Sequence, residues 1–190
     1  MTASVPRLSP LPTSEWGDEE VELLQGRLAR ADHHLTGGSE SAPLPPILRL
    51  LARNPRIGGP WLAFCGALLE GTVDDREREL LILRLAHCTQ NSYLWIEHTP
   101  LGAAAGLAPS ELQAIRSGPE ADCWNDRECL LLRAADELIG DHVVSDSTWL
   151  GLAEYFEESQ LLELLFLIGS YSCLAMVLNS AGLEPRTEED

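Results

Sequence analysis

Apolar residues in this chain recur at helical spacing behind helix-capping residues. Nowhere do apolar and polar residues alternate over a strand's length with the Gly-Asn or Asn-Gly turns of hairpins. That combination restricts the chain to an all-α fold. From about Asp18, the residues Val21, Leu24, Leu28 and Ala31 share one helix face, and TGGSESAPLPP closes that helix as a loop. Further helices are expected over Ile47–Arg53 and from Pro55 to about Leu69, with Gly58-Gly59-Pro60 read as a helix-start turn. Asp74 with Glu77, and Asn125 with Glu128, resemble N-terminal capping pairs ahead of ELLILRLA and CLLLRAADELIG. Ser145 and Asp146 can cap STWLGLAEYF, and a last helix is expected over about Ser159–Asn179. Residues 1–17, with Pro6, Pro10 and Pro12, read as an extended arm; residues 18–184 read as one helical domain and 185–190 as an acidic tail.

The charge balance excludes several function classes. Thirteen basic residues stand against thirty acidic ones, for a formal charge of −17. Such a surface repels a phosphate backbone and an anionic membrane, so neither nucleic acid nor membrane is expected as a partner. All the basic residues are arginine, so no lysine Schiff base can form. Arginine without lysine, with abundant Ala, Gly and Leu, suggests a GC-rich bacterial genome. Cys65, Cys88, Cys123, Cys129 and Cys173 include no C-x-x-C pair, which argues for a reducing compartment and against a disulfide framework. The N-terminal residues show no apolar signal region, and the apolar run Leu161–Leu178 reads as a buried core helix. A cytoplasmic location is expected. His33, His34, His87 and His142 have no spaced companions for a metal site, although His87 is a weak pocket candidate. No phosphate loop or nucleophile elbow is present, and neither a metal nor a cofactor is expected.

The chemistry is concentrated between Arg76 and Leu112. On one straight helix Glu79 and His98 would lie about 28 Å apart. Thr89, Gln90, Asn91 and Ser92, however, form a polar run of turn and N-cap residues. A helix ending near Cys88 and another starting near Asn91 fold the chain back, so that Glu79 can approach the second helix. There Asn91, Leu94 and His98 share one face. A carboxylate meeting an imidazole on an apolar wall makes an acid–base pair. The alternative for Glu79 is a surface residue pairing with Arg76 or Arg84 at helical spacing. Tyr93 and Trp95 are either substrate contacts or core and subunit contacts, and Cys88 is either a reactive thiol or a small buried hydrophobe.

RERELLILRLA, the polar turn and YLWIEHTPLGAAAGLAPSEL resemble the central motif of the carboxymuconolactone decarboxylase and alkylhydroperoxidase-D-like family. The likeness extends back to RIGGPWLAF and on to FLIGSYSCLAMVLNSAGLE. It implies a domain of about seven to nine helices, assembled as a trimer or hexamer through its central helices. In the peroxidase-like branch a glutamate precedes a C-x-x-C pair and a histidine. By position these fall on Glu79 and His98, while the cysteine positions fall on Asn91 and Leu94 and are absent. Disulfide-based peroxide reduction is therefore not expected. The decarboxylase branch, which uses a histidine for proton transfer, is the nearer chemical model. The expected function is a cofactor-free decarboxylase or isomerase of a small or medium organic acid or lactone, in aromatic catabolism or natural-product tailoring. His98 is its proton-transfer residue, Glu79 orients the imidazole, and Asn91, Leu94, Tyr93, Trp95 and Cys88 line the substrate site. The alternatives are a thiol peroxidase using Cys88 and a non-catalytic ligand-binding protein.

Overall fold

In the structure, a computed structural model, residues 6–28 and 44–185 are described. They form nine α-helices and no strands. The helices are α1 (Asp18–Leu24), α2 (Pro46–Leu51), α3 (Pro55–Leu69), α4 (Asp75–Cys88), α5 (Ser92–Ala104), α6 (Pro109–Ala114), α7 (Asp126–Gly140), α8 (Asp146–Leu152) and α9 (Glu158–Ala181). Ala31, most of the expected TGGSESAPLPP loop, His33 and His34 lie outside the described residues, as do residues 1–5 of the arm and 186–190 of the tail.

The chain divides into two units, residues 1–71 with 180–190, and residues 72–179. In the first, Leu24, Leu48, Ala52 and Leu62 form the buried cluster of α1, α2 and α3. Gly58 and Gly59 sit inside α3 rather than at its start, because Pro55 already opens that helix. Their role is close approach: a Cβ on Gly59 would collide with the carbonyl oxygen of Leu23 on α1. Part of the expected arm is tied down within this unit, Leu8 donating to the carbonyl of Ala181 and Leu11 to that of Arg49.

The second unit is organised by α4, which packs against α5 and α7. Leu80 to Leu83, Leu85 and Ala86 are all buried, as a helix surrounded by partners requires. Leu80, Leu83, Leu107, Ile115, Trp124 and Leu132 make its apolar centre. Burying one such leucine contributes about 1.5–3 kcal/mol. By length and composition α9 can cross a bilayer; here Leu161, Leu164, Leu167, Ile168, Leu174 and Leu178 are buried within the protein.

The caps follow the sequence with one change. Asn125 and Glu128 form a complete capping box on α7, and Ser145 caps α8. At α4, Asp74 accepts from the N–H of Arg76, while Glu77 takes no part in the cap and instead accepts from Arg127 Nη2 at 2.8 Å. Arg76 ties α4 to its neighbours: it donates to Glu111 at 2.6 Å, to Glu128 at 3.0 Å and to the carbonyl of Gly106. The Arg76 hydrogen bond, aided by the N–H of Ala108 and opposed by partial burial, holds the Glu111 carboxyl below its ordinary range. A lowered carboxyl contributes stability present above the unfolded glutamate pKa, about 4.3, and lost as the pH falls through the folded value. Arg76→Gln should therefore destabilise by about 2 kcal/mol near pH 7, since it strands the buried Glu128. In urea unfolding at stepped pH, the gap from wild type should narrow below about pH 4. A gap unchanged down to pH 3 would show that Glu111 draws nothing from Arg76.

Candidate active site

Thr89, Gln90 and Asn91 turn the chain between α4 and α5, and the turn is built from side chains. Asn91 is the N-cap of α5: its Oδ1 accepts from the N–H of Leu94 at 2.8 Å. Its Nδ2 donates to Asn179 Oδ1 on α9 at 2.7 Å, and Asn179 Nδ2 donates to the Thr89 carbonyl at 2.8 Å. Gln90 takes a positive φ of 52°, which lets α5 run back along α4.

This hairpin brings Glu79 Oε2 within 2.7 Å of His98 Nδ1. The Glu79 side chain is 3% exposed and that of His98 13%, so the carboxylate is enclosed while the imidazole reaches the surface. The surface pairing considered for Glu79 does not form, because Arg76 is taken by Glu111 and Glu128, and Arg84 by Asp136. The other Glu79 oxygen lies 3.7 Å from Arg78 Nε, a buried nitrogen with no hydrogen-bond partner among the described residues. The ring of Tyr171 on α9 meets the imidazole edge-on, with centroids 5.4 Å apart. With Nδ1–H donated to the carboxylate, Nε2 carries the lone pair and can take or return a proton.

A cleft of about 450 Å³ opens beside the hairpin turn. Among its lining residues are Cys88, Asn91 and Trp95, together with Arg84, His87 and Arg116. Tyr93 and Leu94 do not line it; they are buried, at 3% and 2% exposure. Neither Glu79 nor His98 borders this cleft, and His98 lies one helical turn beyond Trp95. The structure thus brings the carboxylate and imidazole together and gathers three of the five expected contact residues into a separate hollow. Sequence reasoning missed Tyr171, inside the apolar run of α9, and Asn179, just past the end of that run. It also missed Arg116, which lies in the short 3-10 helix Ile115–Glu120 after α6, with no periodic signal.

Cys88 reaches the surface, yet its thiol is disfavoured as a thiolate. Partial burial, the largest influence, pushes it up to about 11; Arg84 pulls it down, and Asp136, 3.5 Å away, pushes it further up. At neutral pH the thiol is therefore held in its protonated form. Alkylation of Cys88 by iodoacetamide at pH 7.5, followed by site-resolved mass spectrometry, should run about a hundredfold slower than for free cysteine. A rate matching or exceeding free cysteine would overturn this account of its environment. Among the described residues no group of three or more His, Cys, Asp or Glu side chains is placed to hold a metal ion.

Residues 55–137 match the carboxymuconolactone decarboxylase family. No curated protein matches the chain in sequence. Among solved structures, an uncharacterised peroxidase-related protein of Ralstonia eutropha JMP134, an alkylhydroperoxidase AhpD core, aligns with a TM-score of 0.77 at 17% identity, over 97% of this chain and 94% of that one. A second, from Silicibacter sp. TM1040, aligns with a TM-score of 0.77 at 14% identity, over 99% and 96%. The debrominase Bmp8, as a cysteine-to-alanine variant in complex with 2,3,4-tribromopyrrole, aligns with a TM-score of 0.75 at 12% identity, over 97% and 94%. At such identities these likenesses establish the fold.

Proposed function

Since the chain belongs, through residues 55–137, to the carboxymuconolactone decarboxylase family, we propose that it is an acid–base enzyme, a decarboxylase or isomerase of a small organic acid or lactone. The contact of 2.7 Å between Glu79 Oε2 and His98 Nδ1 carries this reading. Glu79 fixes the imidazole tautomer and stabilises the imidazolium once it forms. His98 Nε2 is then the atom that moves the proton. In an isomerisation it removes a proton beside a carbonyl and returns it at the far end of the conjugated system. In a decarboxylation the C–CO₂ bond breaks, its electron pair enters the unsaturated frame, and the imidazolium protonates the remote carbon. Neither route consumes an oxidant or reductant. Tyr171 restrains the ring from its edge.

A further observation supports the proposal: the thiol alternative needs a lowered Cys88, and its surroundings raise it. Leu162, Phe166, Met176 and Val177, all exposed on α9, supply apolar surface for the homo-oligomer the family resemblance implies. The direct test follows carbon-bound hydrogens. Incubated in D₂O with a panel of β,γ-unsaturated acids and lactones, the protein should place deuterium at the remote carbon of at least one, seen by proton NMR. A panel returned without exchange, isomerisation or CO₂ release would count against the proposal.

A further inference from the structure

Within residues 72–179 nearly every described arginine is held by a carboxylate. Arg76 has Glu111 and Glu128, Arg78 has Asp75, Arg84 has Asp136, Arg127 has Glu77 and Arg133 has Glu120. Arg116 has none among the described residues of this unit, although acidic side chains outnumber basic ones thirty to thirteen in the chain. Its guanidinium instead lies over the Trp95 ring, 4.8 Å from the centroid. His87 meets the same indole edge-on, with ring centroids 6.4 Å apart.

These three side chains line the cleft of about 450 Å³, a volume suited to one small molecule. No aspartate or glutamate lines it, whereas Gln90 and Ser92 do. With Arg84 neutralised by Asp136, the uncompensated charge of the hollow is that of Arg116, on a protein of charge −17, and an indole forms part of its wall. With the guanidinium carbon over the indole and no carboxylate of this unit paired with it among the described residues, the N–H fork of Arg116 can take both oxygens of a carboxylate.

We propose that this cleft binds a small carboxylate carried on a flat, unsaturated or aromatic frame. Arg116 takes the carboxylate, with Gln90 and Ser92 within the same lining as further hydrogen-bonding groups, and the frame lies against Trp95 and His87. Because Glu79 and His98 do not border the cleft, the site stands or falls independently of their chemistry.

The test is titration calorimetry of the full chain at low ionic strength, with benzoate and sorbate as probes and benzamide and inorganic phosphate as comparators. Benzoate and sorbate should bind, and both comparators should be at least about tenfold weaker. Arg116→Gln should weaken the carboxylates by about tenfold or more without moving the melting temperature. Arg116→Lys, which keeps the charge and loses the fork, should fall between. Arg133→Gln, which removes the same charge outside the cleft, should bind as wild type does. The proposal is overturned if benzamide matches benzoate, if phosphate binds better than either acid, if Arg116→Gln binds unchanged, or if neither acid binds.

Discussion

Replacing His98 with glutamine should lower turnover of the wild-type substrate by about 10²–10⁴-fold, the scale of losing a positioned general acid or base. The fold should survive, because the His98 side chain is 13% exposed and its hydrogen bond to Glu79 can be kept by an amide donor. Glu79→Gln should cost a similar factor by a different route. A glutamine can turn its amide nitrogen toward His98 Nδ1, which then accepts rather than donates. The proton moves to Nε2 and the imidazole is locked in the tautomer that cannot act as base. Glu79→Asp keeps the charge, shortens the reach by one methylene and should recover part of the loss. Initial rates on whichever acid or lactone turns over, beside thermal melts of each variant, separate a chemical effect from a folding one. Equal turnover in wild type and His98→Gln would remove the pair from the chemistry.

That pairing is legible in the sequence because two local signals point the same way. Thr89, Asn91 and Ser92 are poor helix formers with good capping side chains, which favours a turn. The turn in turn fixes that Glu79 and His98 come level on antiparallel helices. The helix boundaries at Asn125 and Ser145 were legible for the same reason, since a cap is decided by residues three positions apart. What escaped were relations between distant segments. Nothing near Glu77 shows that Arg127 will draw it out of its cap, and nothing near Arg84 names Asp136 as its partner. Asn91 was expected to face a substrate through its shared helix face with His98. It lines the cleft, but its amide is already used by Leu94 and Asn179, a commitment set by the packing of α9. Tyr93 and Leu94 do not line the cleft because both side chains are buried in the protein, at 3% and 2% exposure.

The segment that escaped most completely, residues 115–118, carries the second large effect. Arg84 donates to both oxygens of Asp136, at 2.7 and 2.8 Å, and to the carbonyls of Ile115 and Arg116, at 2.8 and 3.2 Å. Its guanidinium lies directly against Gly118, which takes φ 80° and ψ −156°, a conformation essentially reserved for glycine. The Gly118 carbonyl accepts from the Trp124 indole at 3.0 Å, so the peptide cannot rotate freely to relieve a side chain. A Cβ at position 118 would sit 2.6 Å from Arg84 Nη2. Gly118→Ala should therefore destabilise by about 2–4 kcal/mol, from backbone strain together with displacement of a guanidinium from its carboxylate. Urea unfolding measures this, and a cost below about 1 kcal/mol would mean that the loop has room to move. The cycle with Arg84→Met separates the two contributions. If alanine costs about as much beside methionine, backbone strain accounts for the effect. A cost smaller by about 1 kcal/mol or more locates the remainder in the clash with the guanidinium. The same loop carries Arg116, so Gly118→Ala should also weaken benzoate binding at the cleft. Arg76→Gln, destabilised through α4 and α6 and remote from this loop, should leave benzoate binding intact.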